Sequence, residues 1–149
     1  MKNKTIRTTL MITLGIVVIA AIGIYLFLYQ CHKTLPHAAE EVFIKYMEAF
    51  KNGTKEASQY AYFRNDELQH IYEDSGTVLI DYRIENIMRI NENLFAITVL
   101  VKTNRTSKSY MRVYNFLGRI DGAWQFINGV GNVPDEICTN LNKENYSYN

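Results

Sequence analysis

The sequence has few of the residues that build metal and redox sites. It contains two cysteines, Cys31 and Cys138, and three histidines among 149 residues. They form no Cys-x-x-Cys, His-x-His or His-Glu-x-x-His pattern, and such spacings are typical of metal-binding and redox motifs. The sequence therefore predicts no metal site and no cofactor.

An excess of positive charge, which nucleic-acid-binding domains concentrate on one surface, is also missing. The whole chain has a formal net charge of +1. From Cys31 onward, thirteen Lys and Arg stand against fifteen Asp and Glu, a formal charge of −2. Because nucleic-acid-binding domains show a basic patch and a high isoelectric point, we expect no nucleic-acid partner.

Leu10 to Tyr29 is a run of twenty residues that lacks charged residues, Asn, Gln and Pro. A helix of that length is about 30 Å long, the thickness of bilayer hydrocarbon. Lys2, Lys4 and Arg7 precede it without an acid, and the positive-inside rule then keeps the N-terminus in the cytoplasm. The sequence predicts a single-pass transmembrane helix that acts as a signal anchor in a bacterial cytoplasmic membrane, with the lipid bilayer as a partner and the C-terminal domain outside.

Two other interpretations of this segment stay open. A cleaved signal peptide usually has an apolar stretch of about 7 to 15 residues followed by a small-x-small site, and "YLFLYQCHK" offers no such site. A lipoprotein signal needs small residues before Cys31, where Tyr29 and Gln30 stand instead.

A disulfide between Cys31 and Cys138 would tie the C-terminal tail to the stalk in an oxidising compartment, and two free thiols are the alternative.

These features divide the chain into five parts. They are a cytoplasmic tail over 1–9, a transmembrane helix over 10–29, a stalk over 30–36, an extracytoplasmic domain over 37–137 and a flexible tail over 138–149.

Apolar residues are spaced as in amphipathic helices in the first part of the domain, and they alternate with polar residues, as in strands, in the second part. Ala39 to Phe50 places apolar residues three and four positions apart, which predicts a long amphipathic helix. Two shorter helices are predicted over Lys55 to Tyr62 and Asp66 to Tyr72. Alternation then predicts about four antiparallel strands, over Thr77 to Ile90, Leu94 to Thr103, Ser109 to Ile120 and Ala123 to Val130. Helices followed by strands indicate an α+β fold.

Two local signals refine the sheet. The apolar parity of the first strand changes near Glu85 and Asn86, which predicts a β-bulge there. Asp121-Gly122 predicts a tight hairpin turn into the last strand. The basic stretch Asn104 to Lys108 is a predicted hairpin tip, for which a solvated loop is favoured over contact with anionic lipid or polymer.

This order of elements, ending in a hairpin and the motif Gly122-Ala123-Trp124, resembles the nuclear transport factor 2-like superfamily, also called cystatin-like or ketosteroid-isomerase-like. The resemblance covers about Pro36 to Pro134. It implies a cone-shaped domain in which a curved antiparallel sheet wraps the long helix and leaves a pocket at the open end.

Aromatic residues are the candidates for that pocket or for an interface, because they offer contact area at a low cost in entropy. The alternative is that they fill the core. The candidates are Tyr46, Tyr82, Tyr110, Tyr114, Trp124 and Phe126. For catalysis we considered Tyr82, Tyr110, Tyr114, Asp81 and His70, but the sequence does not show a set that converges on one reacting atom, so no catalytic residue is predicted.

Three functions follow, in decreasing order of preference. The first is a non-enzymatic, membrane-anchored interaction module of a bacterial cell envelope with a protein partner or self-association. Such a module resembles assembly components of secretion and conjugation machines and uncharacterised surface proteins. The second is a binder or sensor of a small apolar ligand in the cone pocket. The third is a lyase or isomerase of the ketosteroid-isomerase type, which needs two ionisable groups in that pocket.

Overall fold

The computed structural model describes residues 17–24, 34–106 and 108–146. The chain divides into two compact units, Met1–Thr34 and Leu35–Asn149. In the first unit, α1 is an α-helix over the described residues 17–24. The second unit holds every other helix and strand described below.

The transmembrane helix predicted over Leu10 to Tyr29 is corrected by the structure. Within the described part of the chain, no helix is long and apolar enough to cross a membrane. The prediction of a single-pass signal anchor is therefore wrong. The rest of that segment, the predicted tail over 1–9 and residues 30–33 of the stalk lie outside the described residues.

The long amphipathic helix of the second unit is confirmed. Helix α2 spans His37–Phe50, and Pro36 stands at its N-cap. Glu40 in the first turn is favourable for the helix dipole. Residues three and four positions apart face the core, and those buried are Ala39, Phe43, Tyr46, Met47 and Ala49.

Two short helices follow, with a different division from the predicted one. Helix α3 spans Thr54–Ala57 and continues as a 3₁₀ turn over Ser58–Tyr60. Helix α4 spans Asp66–Asp74, and the Asn65 side chain caps it by accepting a hydrogen bond from the Leu68 N–H at 2.9 Å. The cap is therefore Asn65, the residue directly before the start predicted for this helix.

The sheet has five strands, so the prediction of about four is also corrected. The strands are β1 Ala61–Tyr62, β2 Leu79–Asn91, β3 Leu94–Thr103, β4 Met111–Ile120 and β5 Ala123–Asn128. Their order in the sheet is β1-β5-β4-β3-β2, and β1 pairs parallel to β5 whereas the other pairs are antiparallel. The additional strand lies at the end of the segment predicted as the first short helix. These residues are extended because they pair with the edge of β5.

The two local signals in the sheet are confirmed. The pairing of β2 with β3 shifts register between Ile84 and Asn86, where the β-bulge was predicted, and shifts again near each end of β2. The bulge turns both Tyr82 and Ile87 towards the α2 side of the sheet. The β4–β5 turn has positive φ at Asp121 (50°) and Gly122 (83°), as a tight hairpin of this type requires.

The sheet is covered on both faces. Helix α2 packs on one face against a cluster that includes Phe95, Ile97, Val99, Val101, Leu117 and Phe126. The other face carries a second cluster, formed by Leu94, Ala96, Phe116, Ile127, Val133 and Tyr146. β3 therefore reads as a nearly continuous apolar run, because alternate residues enter different cores.

The second face is covered by the C-terminal segment. It forms 3₁₀ turns over Val130–Asn132, Asp135–Ile137 and Lys143–Tyr146. The Asn91 Nδ2 donates to the carbonyl oxygens of Ile137 at 3.0 Å and Thr139 at 2.8 Å. The described part of the stretch expected to be a flexible tail, 138–146, thus ends with the buried side chain of Tyr146.

Candidate functional site

A cavity of about 410 Å³ lies in the second unit on the α2 side of the sheet. Its volume is within the range of about 300 to 1,000 Å³ typical of small-molecule sites. The last turns of α2 form one wall, and β3 and β4 form the opposite one. The apolar residues that line it are Met47, Phe50, Val101, Met111 and Val113.

Two tyrosine hydroxyls meet at the wall of this cavity. Tyr46 Oη and Tyr72 Oη are 2.5 Å apart and share a hydrogen bond in which either oxygen can donate. The Tyr46 ring stacks on Phe126, with ring centroids 3.5 Å apart and planes at 12°. Since one hydroxyl of the pair donates to the other, the acceptor keeps its own proton available for a further hydrogen bond.

Burial keeps both phenols protonated. Desolvation, with the neighbouring Tyr72 as a further cause, raises the pKa of Tyr46 well above its usual value. Desolvation also raises the pKa of Tyr72 to about 12. At neutral pH the pair is therefore uncharged and acts through hydrogen bonds.

The rest of the polar lining consists of hydroxyl residues, Arg105 and two asparagines; the hydroxyl residues are Thr54, Ser75, Thr77, Thr103 and Thr106. Asn115 on β4 and Asn128 on β5 are directly paired across the two strands, and both line the cavity. Asn115 is 4% exposed. The structure shows no hydrogen bond from either side-chain amide to another described residue, and no fully buried side-chain polar atom among the described residues lacks a partner. The amides must therefore be open to the cavity.

The charged part of the cavity lining is at the rim. Arg105 is the only charged residue among the described lining residues. It is exposed, and its guanidinium donates to the Ser75 carbonyl oxygen. Met111, also at the rim, is 46% exposed. The arrangement can bind a molecule with an apolar body, but the described lining offers no carboxylate or imidazole for proton transfer at neutral pH.

The structure brings two of the predicted site residues together at the cavity. Tyr46 lines it, and Phe126 lies fully buried beneath the Tyr46 ring. Tyr82 is half-buried and packs edge-on against Phe43, with ring centroids 6.0 Å apart. These three belong to the core cluster under α2.

The other three predicted residues lie elsewhere. The Tyr110 hydroxyl donates to the Asp81 carboxylate on the surface. Tyr114 is on the opposite face of the sheet and packs edge-on against Tyr146 at 5.6 Å. Trp124 packs near Phe95 at 5.7 Å and borders a separate groove of about 310 Å³.

The cysteines can be placed only in part. Cys138 is a free thiol, half-buried, with its sulfur 3.8 Å from the Val133 carbonyl oxygen. Cys31, its proposed disulfide partner, lies outside the described residues.

The polar lining residues were not predicted from the sequence. Asn115 and Asn128 stand in strands at positions where alternation places them on the same face as Val113 and Phe126. That alternation is the signal that could have found them, because a polar side chain on an apolar strand face needs a partner.

No protein-family model matches the chain, and it matches no curated protein. The resemblance to the nuclear transport factor 2-like superfamily therefore stays a prediction from element order. The site has to be interpreted from its own residues.

Proposed function

We propose that the second unit is a non-enzymatic binding domain for a small, largely apolar molecule held in the cavity between α2 and the sheet. The cavity of about 410 Å³ carries this proposal. Protein interiors are normally packed as densely as organic crystals, so a space of this size with an apolar lining and a few convergent polar groups is the usual form of a ligand site.

Binding is preferred to catalysis because of the groups at the cavity. General acid–base chemistry works best with a group whose pKa lies near the working pH. The phenols of Tyr46 and Tyr72 have raised pKa values because of burial, and the Arg105 guanidinium offers hydrogen-bond donors only. These groups suit recognition of a bound molecule through hydrogen bonds and charge.

To test the proposal, a larger side chain is introduced to fill the cavity, and the binding of a neutral apolar probe is measured. We expect calorimetry to detect binding of decanol to the unmodified chain. Val113→Phe adds volume to the lining, and we expect it to abolish that binding. Met111→Trp, at the exposed rim, is a second variant in case the buried change prevents folding. Ile80→Phe is the control, because Ile80 is 52% exposed on β2 and is not a lining residue. Binding that survives both cavity variants, or no binding of decanol by the unmodified chain, would refute the proposal.

A second candidate function, a protein-interaction module, is favoured by the edge strand β2. Ile80, Ile84 and Met88 are 52%, 46% and 43% exposed along this strand, and no strand of the described residues pairs with the outer side of β2. Exposed apolar residues on a free edge are typical of interfaces. The charged residues and bulges of β2 argue in the opposite direction, because such features protect edges from pairing.

The interaction function is tested by oligomeric state. If a second copy covers β2, light scattering should show a dimer that Ile84→Lys dissociates. If the chain is a monomer at all concentrations and Ile84→Lys changes nothing, the interaction function is refuted and β2 is an edge strand protected from pairing.

A further inference from the structure

The cavity has a direction, which strand β4 defines. Met111 lies at the rim and is 46% exposed, whereas Asn115 is 4% exposed. Val113 lies between them on the same face, and all three line the cavity. Four residues of strand extend about 14 Å. The cavity therefore runs along β4 from an open rim to a closed floor.

The floor presents two amides without protein partners. Directly paired residues in an antiparallel sheet have their side chains about 5 Å apart, so Asn115 and Asn128 can reach the same ligand group. Each amide has one acceptor oxygen and two N–H donors. Because the amides are open to the cavity, a ligand that brings a hydroxyl, amide or carbonyl to the floor can form hydrogen bonds with them.

The rim presents one cation and no acid. The guanidinium of Arg105 donates to the Ser75 carbonyl, which uses part of its five N–H donors. The structure shows no ion pair between Arg105 and a described carboxylate, and no described lining residue is acidic. A cation left in this position matches an anionic group, because guanidinium binds carboxylate or phosphate with two parallel hydrogen bonds.

We infer that the ligand is an elongated anionic amphiphile. Its acidic group would lie at Arg105, its apolar chain would pass Val113, and a terminal hydrogen-bonding group would meet Asn115 and Asn128. The inference rests on the proposed function, since it names the class of molecule that the same cavity takes.

The experiment compares three matched probes in calorimetric titrations of the full chain. Decanol has the apolar chain with a hydroxyl at one end, decanoate has the chain with an acid, and ω-hydroxydecanoate has both groups at opposite ends. We expect ω-hydroxydecanoate to bind most tightly. The acid should contribute roughly tenfold in affinity at this exposed rim, and the terminal hydroxyl roughly two- to tenfold.

Two substitutions assign these contributions to their residues. Arg105→Gln should reduce the affinity for ω-hydroxydecanoate to about that of decanol, and the affinity for decanoate, which lacks the hydroxyl, below that of decanol. Arg105→Lys, which keeps the charge, should retain part of the preference for the acids. Asn115→Leu should remove the difference between ω-hydroxydecanoate and decanoate, and leave the binding of decanoate itself nearly unchanged. Raising the salt concentration should weaken the acids more than decanol, because the rim is open to solvent.

The outcomes separate the two proposals. If all three probes bind equally and neither substitution changes this, the anionic-amphiphile inference is wrong while the binding function stands. If no probe binds, or if binding survives both Val113→Phe and Met111→Trp, the binding function itself fails.

Discussion

Tyr72→Phe tests whether the hydroxyl pair at the cavity is as buried as the structure shows. The substitution removes one hydroxyl of the Tyr46–Tyr72 pair, whose oxygens are 2.5 Å apart, and keeps the ring. At neutral pH we expect a cost of about 1 kcal/mol in the free energy of unfolding, the usual net value of one hydrogen bond. The more specific effect appears in alkaline solution.

Burial raises the pKa of Tyr72 from 10.0 to about 12 in the folded chain. A raised pKa means that the folded chain holds the phenol proton more tightly than the unfolded chain does. The stabilisation is therefore fully present below about pH 10 and is lost as the pH rises towards about 12. Two pKa units, each worth on the order of 1 kcal/mol, correspond to roughly 3 kcal/mol in total, about half of which is lost by pH 11.

The assay is guanidinium unfolding at about pH 8 and about pH 11, on either side of the unfolded-state pKa. The unmodified chain should lose roughly 1 to 2 kcal/mol more than Tyr72→Phe between these two values. Tyr60→Phe is the matched control, because Tyr60 is 44% exposed and outside the cavity. It should lose as much as the unmodified chain. Equal losses in the unmodified chain and Tyr72→Phe would refute the reasoning.

Three further predictions concern stability, each read from guanidinium unfolding. In Gly118→Ala the added methyl would lie 2.6 Å from Ile137 Cδ1, so we expect a loss of about 1 to 3 kcal/mol, part of which Ile137→Val should restore. Asn65→Ala should cost about 1 kcal/mol by removing the α4 cap, and Asn65→Asp should not. Tyr146→Ala should cost about 3 kcal/mol, because its ring packs on Phe116 at 5.3 Å. A loss close to zero would show that the C-terminal segment does not hold the sheet.

The parts of the fold that local patterns specify could be predicted. The stripe on α2 was identified because residues three and four positions apart have only one common face. The β2 bulge was identified because a change of parity in a half-buried strand has to be absorbed in the backbone. Asp121-Gly122 was identified because few dipeptides accept positive φ at both turn positions.

Features that depend on tertiary contacts could not be predicted. Lys55 to Tyr62 reads as one helix, but its last two residues form β1 because the edge of β5 is available to them. The sequence also did not predict that the C-terminal segment covers the second face of the sheet, for a similar reason. The residues after Cys138 are mostly polar, and their attachment depends on Asn91 and on the single large side chain of Tyr146.

The candidate site was harder to predict because alternation shows that two faces exist, without showing which one a helix covers. On β4, Tyr114 and Phe116 alternate with Val113 and Asn115, and both sets are apolar enough to face a core. The C-terminal segment takes Tyr114 and Phe116, and the cavity receives Val113 and Asn115.

The cavity follows from the lengths of the elements that enclose it. Helix α2 has 14 residues and is about 21 Å long, whereas β3 has 10 residues and extends about 34 Å. The helix therefore cannot cover the whole apolar face of the sheet. At the uncovered end Val101 and Val113 line the cavity, where larger apolar side chains would close the space. Natural sequences depart from close packing and polar satisfaction mainly at functional sites. The open space and the two amides that face it occur together here, and that coincidence is the reason to interpret the cavity as a binding site and not as a packing defect.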